Sequence, residues 1–465
     1  MTGTFSSFNT ALSALRYNQV VMDVASGNIA NAQTAGYARR RVDGVTAGGD
    51  VKPAMWSRGT STGEGVAVGG INRMTDPFLT ARARIEHGNQ HYLDLQASVL
   101  QRVESGIGEP SDHGVAASLQ KLRSAGSDLA NSPDSDAARS QFLAAAQSAA
   151  TALNAQSRNI GTEAADQRSK LLSTVGEINT VSSDLAKTNY NIKVAKLNGT
   201  DAGSLLDQRD LLGQRLAELT GATGKVNSDG GLDLTVNGVP LVSGDTAGTL
   251  QISTGVLPDG SADGNPVTFS IADPTSGTTA LPAGFTGEAG AITDLLNVTL
   301  PSYQSGLDGV AQTLADDFNA QHTAGYDESG NPGTALFTYN PADAAGTLSV
   351  AISDTKLVAA SGVPGGVIDG SNADAMTSLS SADNAYQRLV NGFGSQVASV
   401  NRQQANQQVL TNQVDSSRDQ LSGVNLDEET LSIAQAQHGY EAASRVISVM
   451  DSVLNTLINR TGLLN

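Results

Sequence analysis

The chain has 465 residues, no Cys, 50 Gly, and a formal net charge of −18 from 28 Lys and Arg against 46 Asp and Glu. That length suggests about three domains. Its 39% apolar and 4% aromatic content fits elongated helical packing better than a thick enzyme core. An acidic balance argues against a nucleic-acid partner, whose phosphates need a basic footprint.

No apolar run reaches the roughly 18 residues that would cross a membrane. "MTGTFSSFNTALSALRYNQV" shows no basic n-region, continuous apolar region or small-residue cleavage site, so no cleaved secretory signal is expected. The lack of Cys fits a protein that avoids disulfide chemistry while moving between compartments.

Along the chain, Phe5, Phe8, Leu12, Leu15, Met22 and Ile29 form a heptad-like apolar seam interrupted at Gln19 and Ser26. Residues 76–107 and 112–131 read as helices. Residues 135–197 continue as helix, on the order of 90 Å if unbroken, ending at "LNGT". A further helix ends at Gly221. Residues 225–285 switch to alternation of period two, and "LDLTVNGVPLV" predicts a hairpin turning at Asn237-Gly238. Helix returns at 291–322, a small β patch is expected near 334–360, and residues 372–420 read as helix.

In the last segment Leu426, Ile433, Tyr440, Ile447 and Leu454 recur every seven residues. The positions three further on are Glu429, Ala436, Ala443, Met450 and Leu457, apolar after the first. Asn425 or Asp427 can cap this helix, and Asp427, Glu428 and Glu429 complement its N-terminus. Two matched seams at opposite ends of the chain, each needing a partner, predict that the terminal helices pair.

The expected fold is therefore mainly α with a smaller β-rich part, in nested elongated domains. Residues 1–65 and 422–465 form an inner coiled coil, 1–65 including the loop after the first helix. Residues 66–224 and 289–421 form the two halves of a helical rod, the second carrying the β patch. Residues 225–288 form a β-rich outer insertion.

Catalytic motifs fail in turn. His87 and His91 have the i, i+4 spacing of a metal pair, but "HGNQH" offers no third ligand, and two solvated polar residues are expected. Ser111, Asp112 and His113 are adjacent rather than convergent. "GEGVAVGG" at 63–70 lacks the Lys and Ser or Thr of a phosphate loop and reads as a turn-containing strand pair. "YDESGNPG" at 326–333 lacks the Gly and Glu of a calcium loop and reads as a tight turn. No catalytic, metal or cofactor residue is assigned.

"NIANAQTAGYARR" resembles the N-terminal signature of the flagellar axial superfamily of rod, hook and hook-associated proteins. "SGVNLDEETLSIAQAQHGYEAASRVISVMDSVLNTLINR" is similar to its C-terminal signature. Three interior stretches resemble the hook-associated FlgK family in particular: "LLDQRDLLGQRLAELTG", "VNGVPLVSG" and "LPSYQSGLDGVAQTLADDFNAQHTAGYDESGNPG". The sequence departs from the family pattern at Ala35, where Pro is common, and at His438-Gly439, which is expected to soften the last helix.

The resemblance implies a non-enzymatic structural protein of the bacterial flagellum, forming the hook–filament junction. It implies export without a cleaved signal, and an extracellular location. Implied partners are other copies of the chain, the hook protein, a second junction protein of the FlgL type, and a cytoplasmic chaperone of the FlgN type at the C-terminal region. Neither nucleic acid nor membrane is among them. The alternatives are a hook or rod protein of the same superfamily, or a secreted adhesin or enzyme on a helical stalk.

The assembly residues expected are Phe5, Phe8, Leu12, Leu15, Met22 and Ile29, with Leu426, Ile433, Tyr440, Ile447, Met450, Leu454 and Leu457. At the boundary after the first helix, Asn28 and Asn31 are expected to satisfy backbone groups. Gly36 supplies the turn, Tyr37 anchors the outgoing chain, and Arg39–Arg41 pair with acidic surface.

Overall fold

The computed structural model describes residues 2–47, 65–275, 277–365 and 368–460, with side chains described from Ser7 to Thr456 within that span. Helix α1 (Thr2–Ala30) leads into a two-stranded hairpin, β1 (Arg40–Thr46) and β2 (Val66–Arg73), paired antiparallel from Arg40 opposite Arg73 to Thr46 opposite Val66. This hairpin straddles the boundary expected at residue 65. Pairing across that boundary ties residues 66–73 to the strand that follows α1.

Next come α2 (Pro77–Ile107), α3 (Val115–Asn131), α4 (Asp136–Leu197) and α5 (Gly203–Thr220). Local signals fix their starts. Pro77 occupies the first turn of α2, where its missing N–H costs nothing, and Asp76 accepts from the Phe78 and Leu79 amides. Ser135 caps α4 by accepting from Ala138 N. Helix α4 runs 62 residues without a break, a length of about 93 Å at the ordinary rise per residue.

The β-rich region starts slightly earlier than expected. Strands β3 (Thr223–Val226), β4 (Leu232–Val236), β5 (Val239–Ser243) and β6 (Thr246–Ala247) form one meander. Strands β7 (Thr249–Thr254), β8 (Thr268–Asp273) and β9 (Gly277–Leu281) form a second. Asn237 and Gly238 at the β4–β5 turn both take positive φ, 48° and 85°, as the hairpin reading requires.

Helix α6 (Gly287–Asp294) then continues through a π-helical turn, Leu295–Thr299, into α7 (Leu300–Ala324). Pro301 lies just beyond the π turn and lacks the N–H needed for a regular ladder, which accounts for the local widening. The small β patch comprises β10 (Phe337–Thr338), α8 (Ala344–Thr347) and β11 (Ser349–Val350). The last region expected as one helix is divided at 378–380 into α9 (Ser371–Thr377) and α10 (Ser381–Ser422), and α11 (Leu426–Arg460) closes the fold.

Helix α4 bridges two cores. Its first half places Phe142, Leu153 and Ile160 against α3, α7 and α10. Its second half places Leu171, Ile178 and Leu185 against the two meanders and α6. The described residues of α1 and α11 contribute to neither core.

Among the described residues, five asparagines hold helices to neighbouring backbone in the same way. Each side-chain amide donates to a carbonyl and accepts from the N–H of a single residue: Asn28 with Arg40, Asn179 with Leu250, Asn189 with Leu232, Asn297 with Val267, and Asn319 with Phe337. A carboxamide has the donor and acceptor of a peptide group, so it can satisfy both backbone groups beside a helix.

Candidate assembly interface

Helices α1 and α11 pack antiparallel, with Asn28 bonded to Glu429 at one end of the pair. Further along, a Cβ on Gly439 would lie 2.8 Å from the Asn18 side chain. The Gly439 expected to soften the helix therefore permits close approach of the two backbones.

The large residues expected at the seam occupy its flanks. Phe8, Tyr440 and Leu426 are 36%, 38% and 52% exposed. Leu12, Leu15, Met22, Ile29, Ile433, Ile447, Met450 and Leu454 are half-buried. The side chains of Phe5 and Leu457 lie outside the described residues. The buried positions are instead Ala11, Ala25 and Asn28 on α1, and Glu429, Ala436 and Ala443 on α11. On α11 this is the second heptad line, three residues beyond the one carrying large side chains. Small residues draw the axes together, and two isolated helices cannot enclose large side chains on both sides.

Glu429 is the main surprise in that line. The sequence marks it only as an acidic residue near a helix N-terminus, yet it is 3% exposed. Its carboxylate accepts from Arg39 Nε at 2.6 Å and Asn28 Nδ2 at 3.0 Å. Arg39 also donates to the exposed Glu428 at 2.7 Å. Burial disfavours the Arg39 charge, but the two carboxylates outweigh it and raise its pKa above the ordinary value.

The boundary motif converges on the same point. Asn28 Oδ1 accepts from Tyr37 Oη at 2.8 Å and Arg40 N at 3.0 Å, while Nδ2 also donates to Arg40 O at 2.8 Å. Asn31 Nδ2 donates to Gly27 O and its Oδ1 accepts from Thr34 Oγ1. Gly36 turns the chain at φ 77°, where a side chain would be strained. Tyr37 packs its ring 5.4 Å from the Arg40 guanidinium, and desolvation raises the phenol pKa.

The arginines then bind inward. Arg40 faces Asp201 and Asp207 at 3.5 and 3.4 Å, and Arg73 bridges Asp207 at 2.7 Å and Asp210 at 2.9 Å. Arg41 stays on the surface beside Asp43. Helix α5 thus presents Asp207 and Asp210, one turn apart, to fasten the hairpin base to the helical body. Arg39 N also donates to Ser422 O at 2.9 Å, joining the outgoing chain to the returning one. No spacing rule links Arg73 or Glu429 to these partners, because the contacts cross more than a hundred residues.

His87 is not solvated as expected. Its Nε2 lies 3.0 Å from Asp415 Oδ2, because α10 packs along α2 and brings Asp415 over it. His91 lies 3.7 Å from Glu218. At 326–333, Asp327 N donates to Asn331 O and Gly330 N to Asp327 O, closing the tight turn. Among the described residues, no His, Asp and Glu group is arranged to hold a metal ion, and no helix is long and apolar enough to cross a membrane.

Residues 100–337 match the family described as flagellar hook-associated protein FlgK helical domain. Residues 8–37 match the flagella basal body rod protein family, and residues 416–460 the flagellar basal body rod FlgEFG protein C-terminal family. The chain is 28% identical to the flagellar hook-associated protein 1 of Bacillus subtilis, the match covering 99% of both chains. It is 23% identical to the protein of that name from Escherichia coli, over 98% of this chain and 99% of the relative.

The solved flagellar hook junction protein FlgK of Burkholderia pseudomallei has a similar fold, with a TM-score of 0.65 at 17% identity, covering 74% of this chain and 100% of that one. The chain belongs to the flagellar hook-associated protein FlgK family and is a structural component of the bacterial flagellum at the hook–filament junction.

Proposed function

We propose that the α1–α11 pair is the assembly surface through which copies of this chain join one another and the adjoining hook. The observation that carries this is the unpartnered apolar face of α11. Leu431, Val446, Val449 and Val453 are 59%, 45%, 63% and 43% exposed, beside Leu426 and Tyr440. A lone helix pair buries one line per helix and leaves the rest wet, so covering this surface with neighbouring subunits supplies the association free energy.

In this reading the expected residues Phe8, Leu12, Leu15, Met22, Ile29, Ile433, Ile447, Met450 and Leu454 act at the interface between copies as much as within the pair. The same reading divides the chain into an inner helical pair, a helical body and a β-rich outer part. It makes the protein a non-enzymatic, extracellular scaffold exported without a cleaved signal. A FlgL-type protein lies on its filament side, and a FlgN-type chaperone covers the C-terminal region before export.

The test is Val449→Asp, which places a charge on the exposed face without entering the α1 contact. Its thermal melt should match the parent, while flagella should lack the protein at the hook–filament junction in immuno-electron microscopy. Normal junction labelling and filaments would overturn the reading.

A further inference from the structure

Where the inner pair meets the body, a cleft of about 740 Å³ opens between the 32–39 turn, the start of α2, α5 and the α10–α11 link. Four arginines line it: Arg39, Arg73, Arg84 and Arg418. Three are committed, Arg39 to Glu428 and Glu429, Arg73 to Asp207 and Asp210, and Arg418 to Gln214 and Asp415.

Arg84 is different. It is 3% exposed, yet its Nε and Nη1 have no hydrogen-bond partner. Its stem passes beside Gly213 of α5, whose missing side chain leaves the path open. Burial pulls its pKa below the ordinary value; nearby Asp210 opposes that shift and Arg209 adds to it. Asp210 is itself held by Arg73 and Arg209.

A buried guanidinium with idle donors is costly, and a carboxylate answers it best, because its two oxygens match the planar fork. Of the four carboxylates lining the cleft, Asp76 caps α2, Asp210 is held as above, Glu428 pairs with Arg39, and Asp419 stands exposed on α10. On α2, Phe78 stands 86% exposed immediately before the cleft residues Leu79 and Thr80. A chain of net charge −18 that repeats copy against copy carries the missing acid in abundance.

We propose that this cleft receives an Asp or Glu side chain from a neighbouring copy of the chain, gripped by Arg84 and flanked by Phe78. The inference rests on assembly of copies through the terminal helices, and adds a second, charge-directed contact outside them.

The test places a photo-crosslinking phenylalanine analogue at position 78 in intact flagella and maps the adduct by mass spectrometry. The expected product joins two copies of this chain through a peptide containing Asp or Glu. Arg84→Met should lower its yield at least tenfold while leaving the monomer's thermal melt unchanged or higher. Arg84→Lys, which keeps the charge but loses the fork, should lower the yield severalfold and serves if the Met variant does not fold.

Undiminished yield in either variant overturns the proposal, as does an adduct to a different protein. No adduct in flagella where antibody labelling finds the chain at the junction overturns the cleft contact alone. Labelling elsewhere overturns the assembly reading, and the cleft contact with it.

Discussion

Replacing Glu429 with Gln tests whether the buried carboxylate sets the geometry of the terminal pair. The substitution keeps the shape, removes the charge, and puts an amide donor where two donors already converge. Arg39 is 27% exposed and retains Glu428, while Asn28 retains Arg40 O. The cost should therefore fall below the 3–5 kcal/mol of breaking a fully buried pair, and above that of an ordinary hydrogen bond; about 2 kcal/mol is expected.

Because the described residues of α1 and α11 lie outside both cores, the loss should appear as local opening and leave the main melt in place. Amide exchange in the first turns of α11 and the last turn of α1 should accelerate about thirtyfold, since each 1.4 kcal/mol is tenfold. Glu428→Gln, at an exposed position, should change it less than about twofold. Equal acceleration by the two variants, or a lowered main melt with terminal exchange unchanged, would refute the reasoning.

Ala436→Leu should force the close α1–α11 contact apart by about 1–3 kcal/mol, read as faster proteolysis of both terminal helices. Ala434→Leu, on the exposed side, is the control, and equal sensitivity would count against the alanine seam. Asn189→Leu strips both backbone groups of fully buried Leu232, so about 3 kcal/mol of global stability should be lost in denaturant unfolding.

His322 is fully buried and neutral: Nε2 accepts from Ala359 N at 2.9 Å, while Nδ1 donates to Thr334 O. Burial lowers its pKa below 6.5, so the unfolded chain takes up a proton first as pH falls. Stability should be full above about pH 6.5 and decline below it, by up to about 1.4 kcal/mol per pH unit. His322→Gln should flatten that decline in melts from pH 7.5 to 5, and an unchanged slope would contradict the assignment.

The sequence by itself determined most of the helices, the turn at Asn237-Gly238, the chain reversal at Gly36 and the pairing of the two ends. These features arise from local capping, backbone preference and heptad spacing, each encoded within a few residues. Tertiary structure alone decided which heptad line faces α1. Both lines repeat every seven residues, and only the closeness of approach selects Ala436 and Ala443 over Ile433 and Tyr440.

Structure alone also revealed Glu429 as a buried anchor, since its donors Asn28 and Arg39 lie about 400 residues away in sequence. The asparagine clamps were hidden for the same reason. An Asn in a helix reads as a weak helix former, and only the chain brought beside it shows which peptide group it completes.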